Sequence, residues 1–527
     1  MTMRKGCSSL LIGLIAATLG GDTAMGSDEG EASVGPLVRV TAGSPFGRLE
    51  RCGSDPGFDP NQPNQEGRNF TGMEVEPWIV ANPLDQRNLV AFWQQDRWSN
   101  GGARSNVAAV SVNGGRSWKR VVVPGLSECS GGEFGRTSDP WLDFSPDGTL
   151  HQMSLVVDIS SDPTAPFGTG RNGMAVSRSN DGGRTWDDPL LLIDEDDPNA
   201  LNDKNALTAD PQDSQLVYAV WDRLDVTPPG LCGTLENAFI GPAFFTRTID
   251  GGDSYSVPGP IYDPGCFNQT LGNQIVVAPD GTLINFFNNI IEVLAIEPEV
   301  IPNPGPPFNL SLLRSQDKGA SWETEPTEVA FILSKGVNTP DTGEPVRDGS
   351  ILFDVAVDSE RGILYAVWQD ARFLEPELSI DQIALSVSKD GGDTWSEPVR
   401  INKTPPTPAI PLRQQAFIPS VAVNRAGAVA ITYYDFRNDR DGSREQADYF
   451  MILCERDCDA PSSFEQEVRL TNRSFDYTQA AETGAGLFLG DYMGLTANQH
   501  DFVAFFAQAF PRKRADEFSR TVTLGSR

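Results

Sequence analysis

Hydrophobic and polar residues alternate in short runs along most of the chain, and Gly, Pro, Asp or Asn residues separate the runs. Such alternation over a few residues is typical of half-buried β-strands, and the separating residues favour tight turns. Two apolar runs joined by such a turn recur seven times, which predicts seven hairpins. They lie at 78–83, 141–146, 207–211, 275–279, 353–358, 421–424 and 492–498.

A second pattern accompanies five of these hairpins and reads Ser/Thr-x-Asp/Asn-x-Gly-x-Ser/Thr-aromatic. The five copies are spaced roughly 70 residues apart, which is the mark of an internal repeat. The Asp is expected to accept hydrogen bonds from backbone N–H groups, and the Gly to adopt the positive φ of a tight turn. We therefore predict a scaffolding role for these residues. The copies occupy 111–118, 179–186, 248–255, 315–322 and 388–395.

The two patterns together predict an all-β β-propeller. Each repeat supplies two hairpins, which make one four-stranded antiparallel blade. Seven hairpins predict seven blades, with six as the alternative. Residues 37–41 match the fourth strands at 398–402 and 467–471. We therefore expect residues 35–46 to close the last blade by pairing with its third strand near 519–524. Residues 47–73 are expected to form an N-terminal loop segment. Residues 74–527 are expected to form the propeller.

The N-terminus has the features of a secretory signal peptide over residues 1–26. Arg4 and Lys5 precede a short apolar stretch, and small residues follow it. That stretch is shorter than a membrane-spanning helix requires. No later apolar segment is long enough to span a bilayer either. We therefore expect a secreted, periplasmic or extracellular protein without a transmembrane segment.

Six cysteines remain once Cys7 is removed with the signal peptide, and an even number in an exported chain suggests disulfides. The positions of the cysteines within the repeats favour three pairs. These are Cys52–Cys129, Cys232–Cys266 and Cys454–Cys458.

The chain carries 72 acidic against 41 basic residues, for a formal net charge of −31. Such a charge repels phosphate backbones, which argues against nucleic-acid binding. Carboxylates also favour hard cations, so calcium is a candidate ligand, although no cofactor is specified. His151 and His500 are expected far apart, which argues against a histidine metal site.

An Asp and an Arg recur together at the predicted end of the second strand of four repeats. Arg side chains bind carboxylates and sulfates bidentately, so a ring of them would suit an anionic glycan. The equal alternative is that each Arg pairs with its neighbouring Asp. The pairs are Asp96–Arg97, Asp222–Arg223, Asp370–Arg372 and Asp435–Arg437.

Further polar residues are expected on the same face of the predicted propeller, at the ends of strands or in the loops between blades. Tyr433 and Tyr434 directly precede Asp435. The others are Glu74, Glu76, Asp139, Asp203, Lys204, Arg347, Asp348, Arg413, Asp491 and Tyr492.

The five repeated segments resemble the Asp-box (BNR) repeat of the sialidase superfamily, and the resemblance covers about residues 74–524. It implies a sialidase-like glycoside hydrolase, of the exo-α-sialidase type, acting on an anionic glycan. The substrate-binding residues would be Arg97, Arg223, Arg372 and Arg437. Tyr434 would be the nucleophile, and Asp96 or Asp435 the acid/base.

The chain departs from true sialidases in two respects. Residues 73–77 lack the Arg-Ile-Pro signature of that family, and seven hairpins exceed its six blades. A non-catalytic propeller that binds a glycan or a protein is therefore the first alternative. A polysaccharide lyase is the second.

Overall fold

The computed structural model describes residues 31–525, apart from 42, 48–66, 161, 163, 229, 233–237, 292–307, 375–379, 408, 441 and 443. The described chain is all-β, as predicted. Its helical elements are short 3-10 turns at Glu128–Ser130, Pro411–Gln414, Pro461–Ser463 and Tyr477–Gln479. Within the described residues, no helix combines the length and apolarity needed to cross a bilayer.

Six consecutive units each contain four antiparallel strands. Unit 1 comprises Glu74–Ala81, Leu89–Arg97, Ala103–Ser111 and Lys119–Val122. Unit 2 comprises Arg136–Phe144, Leu150–Ile159, Thr169–Ser179 and Leu190–Glu195. Unit 3 comprises Ala200–Ala209, Val217–Val226, Ala243–Thr248 and Gly259–Tyr262.

Unit 4 comprises Gln269–Val277, Leu283–Ile290, Phe308–Ser315 and Thr327–Ile332. Unit 5 comprises Phe353–Val357, Leu364–Asp370, Gln382–Ser388 and Val399–Arg400. Unit 6 comprises Ala416–Val423, Val429–Asp435, Gln446–Cys454 and Gln466–Arg469. Two short strands, Phe239–Ile240 and Phe475–Asp476, pair additionally with units 3 and 6.

A seventh unit joins the two ends of the chain. It contains Gly494–Ala497, Asp501–Phe510 and Arg514–Thr523. The N-terminal strands Ser33–Val34 and Val38–Arg39 pair antiparallel with the last of these, so that Val38 lies opposite Ser519. The N-terminal segment therefore covers a strand edge that would otherwise be unpaired.

The central strands of the units are buried on both faces. In unit 1 every residue of Leu89–Arg97 and Ala103–Ser111 is buried. One hydrophobic cluster contains Phe92 of unit 1 together with Phe144 and Ala175 of unit 2. The core thus lies between successive units, because each sheet packs face to face against its neighbours. The alternation expected for half-buried strands therefore does not describe these central strands.

The five repeated segments form the turns between the third and fourth strands of units 1 to 5. In unit 5, the Asp390 carboxylate accepts hydrogen bonds from the Thr394 backbone N–H at 2.9 Å and from its hydroxyl at 2.6 Å. The Ser388 hydroxyl accepts the Gly392 N–H at 2.9 Å, and Gly392 has a φ of +93°. The Trp395 ring packs edge-on against Phe286 of unit 4 at 5.9 Å. These residues close a turn and seal one unit against the preceding one.

An arginine placed just before the repeated segment links successive units. Arg178 of unit 2 donates to the Gly251 carbonyl in the turn of unit 3 at 3.0 Å. Arg314 of unit 4 donates to the Gly391 carbonyl in the turn of unit 5 at 2.9 Å. The turns are therefore structural elements of the interface between units.

Two of the three predicted disulfides are confirmed, namely Cys232–Cys266 and Cys454–Cys458. The second spans the turn of unit 6, which lacks the repeated segment. Cys129 is disulfide-bonded. Its predicted partner Cys52 lies outside the described residues.

One sheet was not anticipated from the sequence, and we call it the cap sheet. Its strands are Val337–Asn338, Pro345–Arg347, Gly486–Phe488 and Ala481–Thr483, in that order. They form two hairpins from distant parts of the chain. The hairpins are joined by a parallel pairing in which Arg347 lies opposite Phe488.

Candidate functional site

The first strands of several units share an irregularity that turns a side chain out of the sheet. The register shifts within Glu74–Ala81, Arg136–Phe144 and Ala200–Ala209. At these shifts Glu76, Asp139 and Lys204 have φ values of +53°, +47° and +46°. A positive φ is costly for any residue except glycine, and such strain concentrates at binding sites. These three residues are charged, whereas Ile418, at the corresponding shift of unit 6, is apolar and has a φ of +53°.

The charged side chains from these strands meet Asp491, which precedes the first strand of unit 7. The Lys204 ammonium lies 2.5 Å from Asp491 Oδ2 and 3.5 Å from Glu76 Oε1. Arg347 of the cap sheet binds Asp491 through two hydrogen bonds, of 3.1 Å and 2.6 Å. Burial alone would raise the pKa of Asp491, but Arg347 and Lys204 outweigh it and hold that pKa well below its usual range.

The pKa values of the neighbouring Glu76 and Asp203 carboxyls are raised instead, because nearby positive charges offset the effect of their burial less completely. Burial raises the pKa of Glu76 to about 7, although the Lys204 charge opposes that rise. Burial, together with the charge of Asp139, raises the pKa of Asp203 to about 6. The Asp139 carboxylate accepts the Lys204 backbone N–H at 3.0 Å. The cluster therefore contains one firmly ionised carboxylate beside groups that titrate near neutral pH.

Two arginines lie against one aromatic ring beside this cluster. The guanidinium carbons of Arg97 and Arg347 are 4.8 Å and 4.5 Å from the centre of the Phe488 ring. Arg97 is buried and donates to Gln94 Oε1 at 2.6 Å. Burial, and then the charge of Arg347, lowers the pKa of Arg97 to about 10. Charged groups of both signs are thus concentrated here, because Arg97, Lys204 and Arg347 share the cluster with several acids.

A cavity of about 480 Å³ opens above the cluster, and we call it the charged cleft. This volume lies within the range typical of small-molecule sites. Lys204, Arg347, Asp491, Lys335 and Asn338 line it, together with Leu352.

The charged cleft continues into a narrow inner pocket of about 30 Å³, which holds roughly two water molecules. Asp139, Trp141 and Tyr492 line the inner pocket. Trp141 is stacked on Trp78 at 3.7 Å, and the edge of Tyr492 faces both rings. A pocket of this size admits water or a small substituent of a ligand but not a sugar ring.

Three of the four arginines predicted to bind substrate are paired with acids outside this cluster. Arg223 binds Glu195 at 2.8 Å and Asp225 at 2.9 Å. Arg372 binds Asp370 at 2.8 Å. The Arg437 guanidinium contacts Asp435 and Glu467. Of the four arginines expected to form a ring, only Arg97 therefore lies in the cluster, and substrate binding by Arg223, Arg372 and Arg437 stays a prediction.

The predicted acids hold neighbouring backbone in place. Asp96 accepts the Gly72 N–H at 2.7 Å and contacts Arg104 at 3.2 Å. Asp222 accepts the Gly272 N–H of the next unit at 2.7 Å. Asp435 accepts the Thr404 hydroxyl at 2.8 Å, and burial raises its pKa to about 7.

The assignment of Tyr434 as nucleophile also needs correction. Its side chain is fully buried, and its hydroxyl donates to the Ala507 carbonyl at 2.6 Å. Its ring packs against Tyr449, with the ring centres 4.4 Å apart. A substrate cannot reach this hydroxyl, because the tyrosine is part of the core between units 6 and 7.

Many of the other polar residues expected on one face do come together. They are Glu76, Asp139, Asp203, Lys204, Arg347, Asp491 and Tyr492. Asp348 lines the same cleft, whereas Glu74 and Arg413 belong to separate clusters described below. One signal in the sequence could have singled out the cluster. Two first strands repeat an acid-Pro-Trp segment, at 76–78 and 139–141.

No family model matches the chain, and no curated protein matches it by sequence. Among solved structures, a Hadza microbial sialidase is 16% identical, with a TM-score of 0.46, over 82% of this chain and 73% of that chain. A variant of the NanB sialidase from Streptococcus pneumoniae is 10% identical, with a TM-score of 0.43, over 93% and 99%. An α-L-arabinofuranosidase from Fusarium graminearum is 11% identical, with a TM-score of 0.42, over 94% and 98%. These similarities are too low to transfer any residue's role.

Proposed function

We propose that the seven units close into a seven-bladed propeller and that the charged cleft is its mouth. The first strand of each unit contacts the first strand of the next, and that of unit 7 contacts that of unit 1. Pairing of the N-terminal strands with Arg514–Thr523 supports the same closure. Loops around such a mouth are the usual place for function in a propeller.

We infer that the charged cleft binds an anionic glycan. The observation that carries this proposal is that Lys204, Arg347 and Lys335 all line one cavity of about 480 Å³. A protein of net charge −31 repels anions over most of its surface, so cations that line a cavity are where an anion could bind, in competition with the Asp491 carboxylate that pairs with both Lys204 and Arg347. Arg347 presents a planar donor group that matches a carboxylate or sulfate.

The same cluster supports glycoside hydrolysis as the reaction. Glycosidases use two carboxyl groups of different pKa, one protonated and one ionised. Asp348, with a pKa raised to about 7, and Asp491, with a lowered pKa, both line the cleft and fit those two states. Asp491 faces the cleft and would stabilise positive charge developing on the sugar ring. Asp348 would supply the proton for the leaving oxygen, and Asp491 would accept the proton released by the water that attacks the anomeric carbon.

A non-catalytic glycan-binding propeller is the second candidate, and one set of observations favours it. The residues that the sialidase resemblance assigned to catalysis are already engaged within the protein. Arg223, Arg372 and Arg437 are neutralised by acids, and Tyr434 is buried.

The test combines calorimetric binding with turnover of fluorogenic sialosides, uronides, sulfated glycosides and a neutral glycoside. We expect Arg347→Ala to weaken binding of the anionic ligands at least tenfold, because it removes a charge-assisted contact. The neutral ligand should be unaffected. Arg372→Ala serves as the matched control, since this arginine is paired outside the cleft.

Asp491→Asn then separates the two candidate functions. An enzyme should lose turnover in this variant, whereas binding without turnover by the wild type would favour the second candidate. If no anionic ligand binds the wild type, or if Arg372→Ala weakens binding as much as Arg347→Ala, the cleft is not the glycan site.

A further inference from the structure

The cap sheet places two residues at the charged cleft that the seven units do not supply. Arg347 comes from the hairpin Val337–Arg347 and Phe488 from the hairpin Ala481–Phe488. Val346 and Arg347 pair in parallel with Leu487 and Phe488. The position of the first hairpin therefore sets that of the Arg347 backbone, while Asp491 and the Phe488 ring hold its guanidinium.

The tip of that hairpin is held by a buried glutamate of unit 6. The Glu445 carboxylate accepts the Asp341 N–H at 3.0 Å and the Thr342 N–H at 2.8 Å. Glu445 is 2% exposed. Within the hairpin, the Thr339 N–H donates to the Glu344 carbonyl at 2.9 Å. A carboxylate that accepts two backbone N–H groups fixes both the height and the direction of the tip.

Three carboxylates meet here, and one arginine pairs with two of them. Asp341, Asp439 and Glu445 each place an oxygen within 4.8 Å of the others. Arg413 binds Asp439 at 2.9 Å and Asp341 at 3.3 Å. We call these four residues the anchor. Like charges at this separation would push the hairpin away from unit 6, so Arg413 is needed for the anchor to hold.

We infer that Glu445 and Arg413 are positioning residues that hold Arg347 in the charged cleft and thereby set its preference for anionic ligands. This inference rests on the proposed function of the cleft. Neither residue lines the cleft, so their effect passes through the hairpin. The ladder from the tip to Arg347 is short, because Asn338 pairs with Pro345 and Val337 with Val346. A displaced tip therefore displaces the strand that carries Arg347.

A second contact, between Gln415 and Asn338, also holds the hairpin, so the anchor can be weakened without unfolding the cap sheet. The Gln415 side chain accepts the Asn338 N–H at 2.9 Å and donates to the Asn338 carbonyl at 2.6 Å. Glu445→Gln keeps the shape of the side chain but leaves one acceptor oxygen for two N–H groups. Glu482→Gln is the matched control, since Glu482 lies on the same sheet with half of its side chain exposed.

The experiment measures backbone amide exchange in the free full-length protein and ligand affinity in parallel. For Glu445→Gln we expect about tenfold faster exchange over 339–347, since a hydrogen bond to a charged acceptor is lost. We also expect a fivefold or greater loss of affinity for the anionic ligand, with the neutral ligand and the melting temperature nearly unchanged. Glu482→Gln should change neither measurement.

The outcomes separate this inference from the proposed function. Unchanged exchange at Arg347 in Glu445→Gln overturns the positioning role, whatever the ligand data show. Faster exchange with unchanged anionic affinity overturns the link between the anchor and selectivity. A wild type that binds no anionic ligand, with faster exchange in the variant, rejects the proposed function and with it the selectivity claim, while the anchor itself stands.

Discussion

The buried carboxyl of Glu74 offers a direct test of how the ends of the chain are joined. Glu74 is fully buried beside Glu517 of the last strand. One of its oxygens accepts the Thr41 hydroxyl of the N-terminal segment and the Glu517 N–H, the latter at 3.2 Å. Its other oxygen, and both carboxyl oxygens of Glu517, have no hydrogen-bond partner among the described residues. Burial raises the pKa of Glu74 to about 8 and that of Glu517 well above its usual value.

The sign of the pH dependence follows from the direction of this shift. The folded protein keeps the Glu74 proton up to about pH 8, whereas the unfolded chain releases it near the ordinary value of 4.5. Stability is therefore fully present below about pH 4.5 and falls as the pH rises towards 8. Since one pKa unit corresponds to about 1.4 kcal/mol, this single group could cost up to about 5 kcal/mol across that interval.

Glu74→Gln removes the titration and keeps the shape of the side chain. The amide retains an oxygen for Thr41 and Glu517, but it adds a buried NH₂ group at a cost of about 1–3 kcal/mol. We therefore expect the variant to be slightly less stable than the wild type at pH 5. At pH 9 it should be more stable by about 2–4 kcal/mol.

Urea unfolding at pH 5, 7 and 9 measures this difference through the midpoint of the transition. Comparing the two proteins at each pH isolates Glu74 from the other buried carboxyls, which titrate in both. The exposed Glu360→Gln is the control and should follow the wild type at every pH. Parallel pH profiles for wild type and Glu74→Gln would refute the reasoning, because they would mean that Glu74 does not hold its proton in the folded protein.

Three further predictions concern the scaffold. Asp390→Ala removes three hydrogen bonds from the turn of unit 5 and should lower the free energy of unfolding by about 1–3 kcal/mol in urea titrations, with ligand affinity unchanged. Replacing Cys232 and Cys266 by serine opens a link between positions separated by 34 residues, and calorimetry should show a loss of about 3–4 kcal/mol. Arg314→Ala removes the donor to the Gly391 carbonyl and should lower the melting temperature without changing exchange over 339–347. A loss of ligand binding at normal stability in Asp390→Ala would show that the turns are not only scaffolding.

The spacing of the arginines and their neighbouring acids in the sequence already indicated local ion pairs. Side chains two positions apart in a strand lie on the same face. Asp370 and Arg372 have this spacing, as do Arg223 and Asp225, and both pairs form ion pairs in the structure. Local pairing is therefore the expected outcome for such residues, and it competes with a role in substrate binding.

The sequence by itself determined the features that depend on neighbouring residues. The alternating runs specified the strands, the repeated Asp and Gly positions specified the turns, and the positions of four cysteines within the repeats specified two disulfides. These interactions join residues that are close in sequence or that repeat at a constant interval. They can therefore be predicted from a pattern along the chain.

Only the tertiary structure decided the site. The charged cleft needs Lys204, Arg347 and Asp491, which come from unit 3, the cap sheet and the segment before unit 7. No periodic pattern links them, and the strained backbone that directs Lys204 towards Asp491 is invisible in its residue type. The physical reason is that side-chain direction and ion pairing between distant segments depend on how the units pack, and packing is a property of the whole fold.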